Sequence, residues 1–114
     1  MFQEVKSMLP VSGDDYDQEI ILQIQACALD LTTSAEITLP GTIAISRNTT
    51  TGIVTDNSTL TDALITVAIA TWCNMRIGNP PNYDNLLKAY ESIKGQLRIS
   101  RNYTEYAPEG ADGV

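Results

Sequence analysis

The chain has 114 residues, 43% hydrophobic and 18% charged, which suits one domain with a single modest core. Fourteen acids against seven bases give a formal net charge of −7, which argues against wrapping nucleic acid through many phosphate contacts. There is no histidine, no glycine-rich phosphate loop and no nucleophile signature around either cysteine, so neither catalysis nor a cofactor or metal is expected.

No apolar run approaches the roughly 20 residues that cross a bilayer, so a soluble chain without membrane contact is expected. Met1 to Pro10 lacks the basic start, apolar stretch and small-residue cleavage site of a secretory signal, and export by that route is not expected. The sequons at Asn48, Asn57 and Asn102 are therefore read as chance matches. Charge is uneven along the chain. Residues 1–62 hold nine acids and two bases (net −7), 63–101 two acids and five bases (net +3), and 102–114 three acids (net −3).

After Ser12-Gly13, the residues Tyr16, Ile20, Ile24, Cys27 and Leu31 recur at the period of one helix face, predicting a first long helix from near Asp14. Asp14, Asp15, Asp17 and Glu19 crowd its start, where carboxylates accept from free N–H groups and favour the positive end of the helix dipole. Asp14 and Asp15 are the expected caps; an EF-hand reading would need glycine and a distal Glu at set positions. Residues 37–56 are rich in β-branched side chains around a polar Arg47 to Thr51 tip, which predicts a β-hairpin. An extended loop that pairs only with a neighbouring subunit is the alternative.

Asp56 to Thr59 supply candidate caps for a second long helix over about 60–77, with Leu64, Val67, Ala68, Thr71, Trp72 and Met75 on one face and Ile65 and Ile69 off it. A helix apolar on most sides is enclosed on most sides. Trp72 is read as core, its N–H needing a partner if buried. Cys27 and Cys73, inside helical segments and outside any metal or redox spacing, are read as two buried free thiols. Gly78 suits a left-handed C-cap, Asn79 an N-cap and Pro80 a first helical position. Tyr83, Leu86, Leu87, Tyr90, Ile93 and Leu97 then form the apolar stripe of a third long helix, and Lys88, Lys94, Arg98 and Arg101 lie toward its negative end. From residue 102 the chain loses periodicity and is expected to be a flexible tail, leaving 1–101 as the single domain.

Two stretches together resemble the small head-tail connector, or head-completion adaptor, proteins of long-tailed phages and prophages. The first is the apolar lead Phe2 to Leu9 followed by Ser12-Gly13-Asp14-Asp15-Tyr16-Asp17 and Ile20-Ile21. The second, more specific, runs Ala70-Thr71-Trp72-Cys73, Gly78-Asn79-Pro80-Pro81-Asn82-Tyr83, Leu86, Ala89-Tyr90-Glu91, Lys94, Gln96-Leu97-Arg98, Ser100 and Tyr103. The β-rich segment at about 32–59 departs from the simplest family pattern.

The expected fold is mainly α: a small helical bundle, a short N-terminal helix plus three longer helices, with the β-hairpin inserted between the first and second long ones. The resemblance implies a non-enzymatic virion subunit, assembled in the host cytoplasm. Its copies would form a homo-oligomeric, usually dodecameric, ring beneath the portal protein and meet a stopper or tail-completion protein, with DNA passing through the lumen unread. Expected portal contacts are Arg98, Arg101, Tyr103 and Tyr106; expected inter-subunit contacts are Ile43, Ile45, Arg47 and Ile53. The competing class is a small helical regulatory module that sequesters a partner and has no connection with virions; stoichiometry separates the two, a high-order ring against a small closed complex.

Overall fold

The computed structural model describes residues 1–77 and 80–99. It contains helices α1 (Phe2–Ser7), α2 (Asp17–Thr33), α3 (Ala63–Arg76) and α4 (Tyr83–Ile99), with an antiparallel strand pair, β1 (Ile45–Arg47) and β2 (Val54–Asp56), between α2 and α3. This is the mainly helical architecture expected from the sequence, hairpin included. Asn79, Arg101, Tyr103, Tyr106 and the tail expected from residue 102 lie outside the described residues.

α1 buries Phe2 and Val5, with Leu9 just beyond it. α2 buries Ile20, Ile24, Cys27 and Leu31, the face that the spacing predicts. Its start needs a correction, because Tyr16 occupies the N-cap and no side chain caps the helix. Asp14 and Asp15 stand before it, and the Asp17 N–H is instead satisfied by the main-chain carbonyl of Asp14 at 3.2 Å. A backbone turn thus does the work expected of carboxylates. Asp17 is buried and accepts from Lys6 Nζ at 2.6 Å, tying α1 to α2 through a paired charge.

The hairpin is shorter than the β-rich composition suggests. Its register pairs Ile45 with Asp56, Ser46 with Thr55 and Arg47 with Val54. Below the strands, Asn57 N–H donates to the Ala44 carbonyl at 2.8 Å and Thr59 N–H to the Thr42 carbonyl at 2.9 Å. At the tip, Asn48 Oδ1 accepts from the N–H groups of Thr50 and Thr51, and Gly52 takes a left-handed φ of 76°. Where the base of the hairpin meets the approach to α3, Gly41 lies so close that a Cβ there would sit 2.7 Å from Leu60 Cα. Ile37 at the N-terminal end of this segment joins the core from an isolated β-bridge position outside the two strands.

α3 starts later than the candidate caps imply. Asp62 is its N-cap, with Oδ1 accepting from Ile65 N–H at 3.0 Å, and not a residue of the 56–59 run. The inward face is corrected too. Ile65 and Ile69 are fully buried, along with Ala68 and Cys73, whereas Val67 is exposed and Leu64 and Trp72 are half-buried. α3 packs against α1, α2 and α4, so its buried arc is wide and one stripe could not describe it.

α4 buries Tyr90 and Leu97 and rests Leu86 and Ile93 on the core, while Tyr83 and Leu87 remain exposed. No described helix is long and apolar enough to cross a membrane.

Candidate functional site

A polar seam holds the three long helices in register. The Tyr90 hydroxyl donates to Asp30 Oδ2 at 2.6 Å, and Lys94 Nζ donates to the same oxygen at 3.2 Å and to Ser34 Oγ at 3.3 Å. The Cys27 thiol faces the Tyr90 oxygen at 3.6 Å. Burial, reinforced by the bond to Asp30, pushes the phenol far above its ordinary range, and burial pushes both thiols up to about 12. Groups held so firmly protonated serve as donors and packing, not as nucleophiles. Both cysteines are free and buried, as the sequence implies.

Trp72 closes the other side of this seam. Its ring meets Tyr90 edge-on at 5.3 Å between centroids, and Nε1–H donates to Gln23 Oε1 at 2.9 Å. The Arg76 guanidinium lies 4.1 Å from its centroid. Lys94, which needed no partner beyond the helix dipole in the sequence, turns out to bridge α4 to α2.

Asp56 fastens the base of the hairpin to the start of the chain. Its Oδ2 accepts from Phe2 N–H at 2.6 Å and its Oδ1 from Ser58 N–H at 3.0 Å. Burial opposes ionisation, but these donors outweigh it and hold the carboxyl well below its ordinary value of 3.8.

No group of three or more potential metal-ligating side chains occurs among the described residues. The surface hollows beside Pro10, Asn74 and Pro80 are lined by prolines, Met8, Val11 and neutral polar groups, without a carboxylate or amine. Among the described residues, the candidate functional surface taken up below is outward-facing side chains.

The expected contact residues divide on this point. Ile45 is buried in its own core and Ile43 packs half-buried against that core. Alternation places Ile45 on the inner face of β1. Arg47 is half-buried, with a buried Nε that has no hydrogen-bond partner. Ile53, by contrast, is 63% exposed at the hairpin tip. Arg98 is exposed on α4.

A second exposed surface was missed in the sequence. On α2, opposite the buried face, Gln18, Leu22, Gln25, Ala26, Leu29 and Thr33 all face outward, with Leu22 54% and Leu29 63% exposed. None of these six is charged, and the exposed Glu19 borders them one turn before Leu22. The signal was present in the helical period, since these positions fall opposite Ile20, Ile24, Cys27 and Leu31; attention to the inward stripe hid it.

A family model described as phage connector protein matches residues 1–104. The chain belongs to this phage connector family, a structural family and not a known enzyme family, which makes it a structural component of the virion. No curated protein and no solved structure shows significant similarity to it.

Proposed function

We infer that the chain is a subunit of the head-tail connector ring, docking beneath the portal and extending the DNA channel toward the tail, where a stopper or tail-completion protein meets it. The observation that carries this reading is the family match across almost the whole chain. The charge distribution supports it, because a net −7 part followed by a net +3 part suits the head-to-tail contacts from which rings close. Assembly takes place in the host cytoplasm, and twelve-fold closure is the expectation carried over from the resemblance.

In this reading the portal end comprises exposed Arg98, with Arg101, Tyr103 and Tyr106 supplying aromatic and cationic anchors. Truncation after Arg101 should then block particle completion, and filled, tail-bearing particles from the truncated chain would remove this role. The hairpin contacts an adjacent subunit through Ile53. The net acidity of the chain lets DNA slide, since like charge denies the phosphates a cationic grip. Lysines in place of lumen-facing acids should slow ejection at low salt; an unchanged rate counts against an acidic lumen.

The deciding experiment is deletion of the gene from its phage or prophage. DNA-filled heads without tails are expected, restored by the chain supplied in trans; normal tailed particles after deletion would end the connector reading.

A further inference from the structure

We propose that the outer face of α2 is the seat for the hairpin of a neighbouring copy, with Ile53 of one subunit set among Leu22, Gln25, Ala26 and Leu29 of the next. This rests on the ring reading and names the surface that propagates it.

Positions 22, 25, 26 and 29 stand in the i, i+3, i+4, i+7 relation, which is the four-residue hole that receives a knob in helix packing. Leu22 and Leu29 form its two ends, about 10 Å apart along the helix at 1.5 Å per residue. The small side chain of Ala26 leaves room between them. All four are outward-facing, and the chain's own core neither needs nor covers them.

Ile53 is a fitting knob. It is a β-branched side chain, rigid at χ1, and it is 63% exposed; the residues from Asn48 to Thr55 carry no charge, and the half-buried Arg47 places its guanidinium beside Gly52. The seat is uncharged as well. Two copies that each carry −7 repel across most of their surfaces, so contact is least costly where both partners are neutral.

The contact must be intermolecular. Within one chain β1 packs on α2 through the core side, where Ile45 is buried, while the hole lies on the opposite side of the helix. Knob and hole are different patches of the same surface, so joining them head to tail extends from copy to copy around a ring, as the ring reading requires. A patch of this size falls well short of the roughly 1,000 Å² that holds two free proteins together. The free chain is therefore expected to be monomeric, and the seat fills when the portal gathers copies and makes each contact effectively intramolecular.

The test uses the full chain in phage particles, with cysteines introduced as L29C/I53C. The native thiols of Cys27 and Cys73 are buried, so the new pair alone should cross-link. Mild oxidation should yield a ladder of multimers on a non-reducing gel from the double variant, and none from L29C or I53C singly. Particles that contain the double variant but yield no ladder overturn the seat and leave the connector reading standing, as does a dimer from L29C alone. Particles without even the wild-type chain overturn both. A second variant, L22E/L29E, should keep its helical circular dichroism yet lose incorporation into particles by about tenfold or more; normal incorporation of this variant overturns the seat.

Discussion

α2 and α4 are helices of 17 residues that both pack on α3 and both bury one side, yet their outer sides differ in kind. On α4 the outward positions include Asp84, Lys88, Glu91 and Arg98, the ordinary dress of a solvated helix. On α2 the outward positions from Leu22 to Leu29 have no charge, and the two leucines lie more than half exposed. The inward side of a helix is set by the fold of its own chain. Its outward side is free for other contacts, and the uncharged stretch of α2 from Leu22 to Leu29 is the surface we propose for a protein neighbour.

The sharpest way to break this comparison is to unseat α4. Tyr90→Ala removes a fully buried ring at the junction of α2, α3 and α4 and should cost about 3–5 kcal/mol in urea unfolding. A loss below about 1 kcal/mol would mean that α4 is not anchored there.

Next in size, Asp30→Ala takes away the oxygen shared by Tyr90 and Lys94, leaving the buried Tyr90 hydroxyl without its acceptor and Lys94 with only Ser34 and the exposed Glu91 as partners. A destabilisation of about 1–3 kcal/mol is expected from the same measurement. Combined with Tyr90→Phe, the effect should be less than additive, because both changes strike one network.

Acid should act through Asp56. Its folded-state value is depressed, so its contribution is complete above the ordinary 3.8 and is lost as pH falls below that through the folded value. Thermal melts should therefore drop between about pH 4 and pH 2 less steeply in Asp56→Asn, which lacks this contribution from the outset. Equal slopes would show that the hairpin anchor does not titrate.

The smallest effects are the most discriminating. Lys88→Ala on α4 and Leu22→Gln on α2 should each change stability by no more than about 0.5 kcal/mol, since both lie outside the core. Only the α2 change should depress incorporation into particles, as measured by quantitative immunoblotting of purified virions. If both variants assemble equally, the two outer faces do not differ in function.

Much of the architecture was legible in the residues. The period of Ile20 to Leu31 located the buried face of α2, although Tyr16 at its head is exposed, and the stripe of α4 holds for Leu86, Tyr90, Ile93 and Leu97 but not for Tyr83 and Leu87. Helix starts were less so, because Asp14, Asp15 and Asp56 to Thr59 are good caps in the wrong place. A turn closed by the Asp14 carbonyl and a cap three residues beyond Thr59 took their roles. The burial of Ile65 and Ile69 depends on α3 having neighbours on three helices, which is tertiary information. The hairpin was readable but its orientation was not: alternation cannot say which of Ile45 and Ile53 turns inward until register is known. Of the residues proposed for assembly, Ile53 was singled out in the sequence and the α2 hole was not, because an outward leucine on a helix leaves no mark in the inward pattern.

The packing of α1 on α3 also carries a consequence for biosynthesis. Leu9 is synthesised 67 residues before Arg76 completes α3, against which α1 packs, and Phe2 and Val5 are made earlier still. At about 5–20 residues per second, that interval is roughly 3–13 s. For all of it the apolar side chains of α1 lack their α3 cover, so this segment stays open to chaperones that bind nascent chains.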